Sequence, residues 1–199
     1  RDALPAFVPG SASEQPNESI IGIGYNANGN LAATNQHDTY ATLSQTGSLY
    51  GMIYQRRSKL ILAGTYFKSY IDTGPVQASG WLQNVSPLGA IYGVQVLAGT
   101  PNPLTNPAKV YANLNKIIDP GTGLPVPSNP AGVDPRRTGT INYDSGSLGD
   151  CDGSGAGGAP SDGESCWRHD PVAWDKVGSL GLGDLEEDDT ESTVYVVNL

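Results

Sequence analysis

Cys166, His169 and Asp170 fall within five residues of one another in the stretch CWRHD. A thiol, an imidazole and a carboxylate are the parts of a nucleophile, its base and the group that orients the base. Neighbours on a chain point apart, however, and neither His169 nor the other histidine, His37, stands in a nucleophile frame. The sequence therefore predicts no catalytic residue.

Cys151 and Cys166 are the two cysteines of the chain, and they flank a Gly/Ser/Asp-rich stretch. Zinc would need further Cys or His at ligand spacing, and the flanks offer none. Paired as a disulfide, they would close a loop of about 15 residues, worth roughly 3 kcal/mol in the chain-entropy account. Such a bond implies an oxidising compartment, so the expected location is extracellular or at a cell surface. The alternative is two free thiols in a cytosolic loop.

Oxygen donors are denser in the same stretch. Asp150, Asp152, Asp162 and Glu164 suit a hard cation held by many oxygens, and calcium is the metal expected there. The opening DCDGSG resembles the start of a calcium loop, but no Glu closes it at the required spacing. The run Gly149–Gly158 is glycine-rich yet has neither the Lys nor the strand–helix setting of a phosphate loop. Glu186–Asp189 reads as a solvated acidic turn. Trp81, Trp167 and Trp174, with ten tyrosines, form either inter-strand packing or a platform for sugar rings. Asn17 and Asn84 head Asn-x-Ser sequons, which matter only where the source glycosylates.

The elements that must hold these residues are short. The chain carries 26 Gly and 15 Pro among 199 residues, spread throughout, which favours many turns over long helices. Its net charge is −9 with 16% charged residues. Nucleic acid and anionic lipid reward clustered Lys and Arg, so both are poor partners. No apolar run reaches the length of a membrane span. The chain starts at Arg1 without a basic-then-apolar leader and reads as a processed or excised piece.

One frame is written more than once. SIIGIGYNANGNL and, 29 residues on, SLYGMIYQRRSKL align without a gap. Gly22 falls on Gly51, Tyr25 on Tyr54 and Leu31 on Leu60, with NANGN and QRRSK as polar hairpin turns. A looser third copy runs from Gly183 through an acidic turn to Val194-Tyr195. Further strands are expected over 61–68, 80–85, 90–98, 109–118 and 193–199; 107–118 could instead form a short helix. The expected fold is all-β, with antiparallel blades of β-propeller type, and at about 40–45 residues per blade the chain is too short to close. Residues 1–18 form an extended leader, 19–118 the blades, 119–170 a long Gly/Pro/Asp-rich excursion, and 171–199 the start of the next blade.

GSLYGMIYQRRSKLILAGTYFKSYIDTGP, KVYANLNKIIDPGTG, AGVDPRR and VGSLGLGDLEEDDTESTVYVVNL occur in this order. Together they resemble the propeller-type module of large secreted bacterial surface proteins that carry collagen-adhesin B-type (prealbumin-like) repeats. The likeness covers roughly residues 47–199 and thins across 119–165. Ser179 stands where the family usually has Lys, TYFKSY replaces a Lys-Arg-His run, and Arg136 stands where His often follows Asp-Pro. The resemblance implies an N-terminal part of a propeller and a noncatalytic extracellular role in structure or adhesion. A secreted carbohydrate-binding or glycan-hydrolysing domain is the second expectation, and a self-assembling filament subunit the third. The strand at 193–199 should present an open edge, to be paired by the rest of the polypeptide or by another chain.

Overall fold

The computed structural model describes residues 2–6, 18–24, 37–68, 73–74, 86–97, 103–116, 131–137, 173 and 175–199. Among the described residues, nine strands carry the fold: β1 (Asp2–Pro5), β2 (Glu18–Ile23), β3 (His37–Thr42), β4 (Leu49–Gln55), β5 (Leu60–Thr65), β6 (Ala90–Gln95), β7 (Lys109–Asn113), β8 (Leu182–Glu187) and β9 (Val194–Asn198). One helical turn, α1 (Leu43–Thr46), links β3 to β4. The strands form three antiparallel sheets in chain order: β1-β2-β3, then β4-β5-β6-β7, then the hairpin β8-β9. The chain is all-β.

The three sheets stack face to face, because alternate residues of the middle sheet point to opposite sides. Ile61 and Ala63 of β5, with Ala90, Tyr92 and Val94 of β6, meet Ile20, Tyr40 and Ala41 of the first sheet. Leu62 and Ile91 point the other way and meet Leu182 and Leu185 of β8. Both faces of the middle sheet are therefore core. This is why β5 reads as the nearly unbroken apolar run LILAG rather than as an alternating strand.

The turn QRRSK forms the hairpin its spacing predicts, with Gln55 opposite Leu60 and Lys59 at φ 52° closing the turn. The third copy of the frame is also a hairpin, Glu187 facing Val194. The first copy departs from expectation. β2 pairs with His37–Thr42 rather than with a strand starting at Leu31, a residue outside those described. Burial overrides turn spacing here: Tyr40 and Ala41 bring the side chains that reach the shared core, and the Tyr40 ring covers Gly22. Residues 109–118 divide as well. Lys109–Asn113 is strand, and Leu114–Lys116 turns as a 3-10 segment in which the Asn113 side-chain oxygen accepts from Asn115 N at 2.9 Å. The segment 80–85 lies outside the described residues.

Two glycines of the repeated frame meet each other. A side chain at Gly51 of β4 would sit 2.5 Å from the carbonyl oxygen of Gly183 and 2.7 Å from Leu185 N. Backbone thus packs on backbone where the second and third layers touch, and a methyl group has no room. Replacing Gly51 with Ala should cost about 1–3 kcal/mol, as overpacking of a filled interior does, read by urea unfolding. Gly24→Ala is the control, since a Cβ there meets nothing within 4 Å, and it should leave the midpoint unchanged.

Candidate functional site

The polar side chains with chemistry to offer gather in four places. The largest group joins two turns of the repeated frame. Glu191, at φ 57° in the β8–β9 turn, accepts from the backbone N–H groups of Arg56 and Arg57 at 3.1 and 2.9 Å. Arg57 Nη1 returns a bond to Thr190 O at 3.1 Å. One carboxylate thereby caps the β4–β5 turn from the neighbouring layer.

Asp188 organises the turn that presents Glu191. Its carboxylate accepts from Thr190 Oγ1 at 2.6 Å, Ser192 N at 2.7 Å, Ser192 Oγ at 2.9 Å and Thr193 N at 3.0 Å. The Thr190 hydroxyl, then the Thr193 N–H and the Ser192 hydroxyl, hold its carboxyl well below the usual aspartate range. Within the run read as a solvated turn, Glu186 and Asp189 are exposed while Asp188 is a structural acceptor. Glu191 lies just beyond that run. The signal that could have found the pair is the D-D-T-E-S pattern, in which an Asx-type residue and two hydroxyls fold a turn back on itself.

The second place is buried. Arg136 Nε and Nη2 bond the two carboxylate oxygens of Asp134 at 2.9 and 3.0 Å, across the 3-10 turn Pro135–Arg137. Both side chains are fully buried, at 0% and 1% exposure. Thr73 donates to Asp134 at 2.7 Å, the Arg136 Nη1 reaches Lys68 O at 3.3 Å, and the guanidinium lies 4.5 Å above the Phe67 ring. A bidentate, stacked arginine with its acceptor satisfied is a fastening between loops. It is not a ligand-binding cation. Asn115 anchors the same segment, its amide pairing with Ala131 N and Gly132 O at 3.0 and 3.1 Å.

The third place is on the first sheet, where Glu18 accepts from His37 Nε2 at 2.9 Å and from Thr39 Oγ1. The group is half-exposed, and among the described residues its hydrogen-bonding set holds no cysteine or serine nucleophile. The fourth is aromatic: Tyr50 and Tyr66 lie with ring centroids 5.3 Å apart at 36°, and Tyr50 is 54% exposed. This pair has the shape of a small stacking surface.

Among the described residues, no three His, Cys, Asp or Glu side chains converge to hold a metal. The predicted calcium donors Asp150, Asp152, Asp162 and Glu164 lie outside the described residues, as do Cys151, Cys166, His169 and Asp170. Trp81, Trp167, Trp174, Asn17 and Asn84 lie outside them too. The predicted loop site and the tryptophan platform thus both lie outside the described residues.

Acid should expose the Asp188 contribution. Folding depresses this carboxyl, so the stability it supplies is complete above the ordinary value of 3.8 and drains away as pH falls toward the folded value. Asp188→Asn should flatten that acid limb in a series of urea melts from neutral to strongly acidic pH. In the buried pair, Arg136→Ala leaves Asp134 without its countercharge and should cost about 3–5 kcal/mol, whereas the double change Asp134→Asn with Arg136→Met should cost clearly less. Thermal unfolding of the two variants checks the ordering.

Comparison with protein-family models, with curated protein sequences and with solved structures finds no match to this chain in any of the three.

Proposed function

We propose that this chain is a noncatalytic structural or adhesion module of an extracellular bacterial surface assembly, its stacked sheets being successive blades of an open, β-propeller-like arc. The observation that carries the reading is the fate of the repeated frame. Its second and third copies form the hairpins that open successive layers, with Gly51 against Gly183 at the joint and Glu191 clasping the adjacent turn. Repetition of a supersecondary unit that buries its face on the next copy is the logic of radially repeated sheets. The polar groups support it also, since Asp134, Arg136, Asp188 and Glu191 are engaged in holding loops.

The resemblance of residues 47–199 to propeller modules of secreted surface proteins points the same way. On this reading the loop around Cys151 and Cys166 is tied by a disulfide, and Asp150, Asp152, Asp162 and Glu164 take calcium. The strand at 193–199 pairs with another segment.

A carbohydrate-binding or glycan-hydrolysing domain is the second reading, favoured by the Tyr50–Tyr66 pair, in which Tyr50 is exposed and Tyr66 half-buried. A hydrolase of this kind needs two carboxylates flanking one bond. Assays against chromogenic glycosides and polysaccharides should give no turnover above the blank. Turnover that disappears when a single carboxylate is replaced would overturn the module reading in favour of the second.

A further inference from the structure

The β4–β5 turn meets Glu191 through a fork. Arg56 N donates to Glu191 Oε1 at 3.1 Å and Arg57 N to Oε2 at 2.9 Å, one N–H to each carboxylate oxygen. Two such bonds onto two coplanar oxygens match a carboxylate and not a spherical anion. Arg56, Arg57 and Lys59, three of the eleven Lys and Arg residues of the chain, stand together at this tip, and all three are exposed.

Neither half of the contact depends on the other for its shape. The receiving turn is fastened from its own sheet. Gln95, at the end of β6, donates through Nε2 to Ser58 O at 2.6 Å and to Lys59 O at 3.1 Å, and Val96 N donates to Lys59 O at 2.7 Å. Ser58 Oγ donates to the side chain of the buried Gln55 at 3.2 Å. The presenting turn is held by Asp188, whose bonds run to Thr190, Ser192 and Thr193 and do not use the Glu191 carboxylate. Glu191 itself sits in the left-handed region at φ 57°, which costs a residue that carries a Cβ. Its bonds to the turn are exposed, so water competes for both partners. A preformed receptor, a strained occupant and a solvent-exposed contact together make an exchangeable seat.

We propose that the Arg56–Arg57 turn is a carboxylate-binding site, filled within the chain by Glu191 and open to exchange with an Asp or Glu side chain of another polypeptide segment. Successive backbone N–H groups in a turn form an anion-binding concavity, and here they select the planar carboxylate. Arg56 and Lys59 favour an acidic segment around it. Glu191 competes as a tethered ligand, so an external carboxylate must overcome an effective concentration of roughly millimolar order. Such a site serves a structural module and a glycan-binding domain alike, so it stands apart from the choice between them.

Glu191→Ala empties the seat without touching the receiving turn. In amide-resolved NMR spectra of the isotope-labelled whole chain, sodium acetate should move the Arg56 and Arg57 amide resonances of this variant saturably. Sodium chloride at the same ionic strength should leave them in place. The capped tripeptide Gly-Glu-Gly should reproduce the acetate shift, and its Gln analogue should not. In the unsubstituted chain the same shifts should need roughly tenfold more ligand, because Glu191 must first be displaced. Should Glu191→Ala unfold, Glu191→Gln keeps the shape of the side chain, removes its charge and carries the same titration. Amides of Arg56 and Arg57 that ignore acetate in the variant, or that answer chloride equally, overturn the site. Amides that answer in the variant yet stay fixed in the unsubstituted chain, up to about thirtyfold more ligand, overturn the exchange and leave Glu191 a permanent cap. Glycoside turnover tests the module reading separately, whichever way these amides behave.

Discussion

The stack depends on one close approach, the backbone of β8 lying directly on Gly51 of β4. At that distance the interface has no room for a side chain, so the two layers are set by peptide against peptide. Everything lateral follows from it. Leu182 and Leu185 drop into the face made by Leu62 and Ile91, the Glu191 turn arrives beside the Arg56-Arg57 turn, and Gly181 reaches the bridge to Tyr66. A glycine at the joint stabilises nothing by its own contacts. It lets the contacts of the residues around it form at once.

Charge acts within this frame as fastening. The chain is acidic, yet the carboxylates that are well placed among the described residues accept from named donors: Asp188 from its own turn, Glu191 from the neighbouring layer, Asp134 from Arg136 and Thr73. Each fixes an irregular segment whose backbone groups would otherwise lack partners. The buried Asp134–Arg136 pair is the clearest case. It offers little net stability against an apolar pair of equal volume, but it permits one arrangement of the Phe67, Thr73 and Pro135 segments and penalises the rest.

Much of this was legible in the residues. The hairpins at 54–60 and 187–194 follow from apolar strands separated by polar turns of the right length, and the glycine frame marked the strands that begin successive layers. The pairing of β2 was not legible, because NANGN is as good a local turn as QRRSK. Only the demand to bury Tyr40 and Ala41 beside Ile20 selects His37–Thr42 as the partner. The Glu191 clasp was hidden for a related reason: it spans more than 130 residues of sequence, as does its acceptor geometry on Arg56 and Arg57. Arg136 could be noted as a departure from a family pattern, but its burial over Phe67 depends on a fold that no spacing encodes.

Sheet edges and sheet faces place opposite demands on such a stack. A face must be apolar to pack on the next layer, so Val194 and Val196 are required where they stand. The same choice leaves the other side of β9 with Tyr195 and Val197 and an edge without proline or lysine to spoil pairing. Charge then falls to the turn and to β8, where six acidic residues flank the strand. Six carboxylates on so short a stretch repel a second copy of the same hairpin, so the acidity of the turn works against self-association.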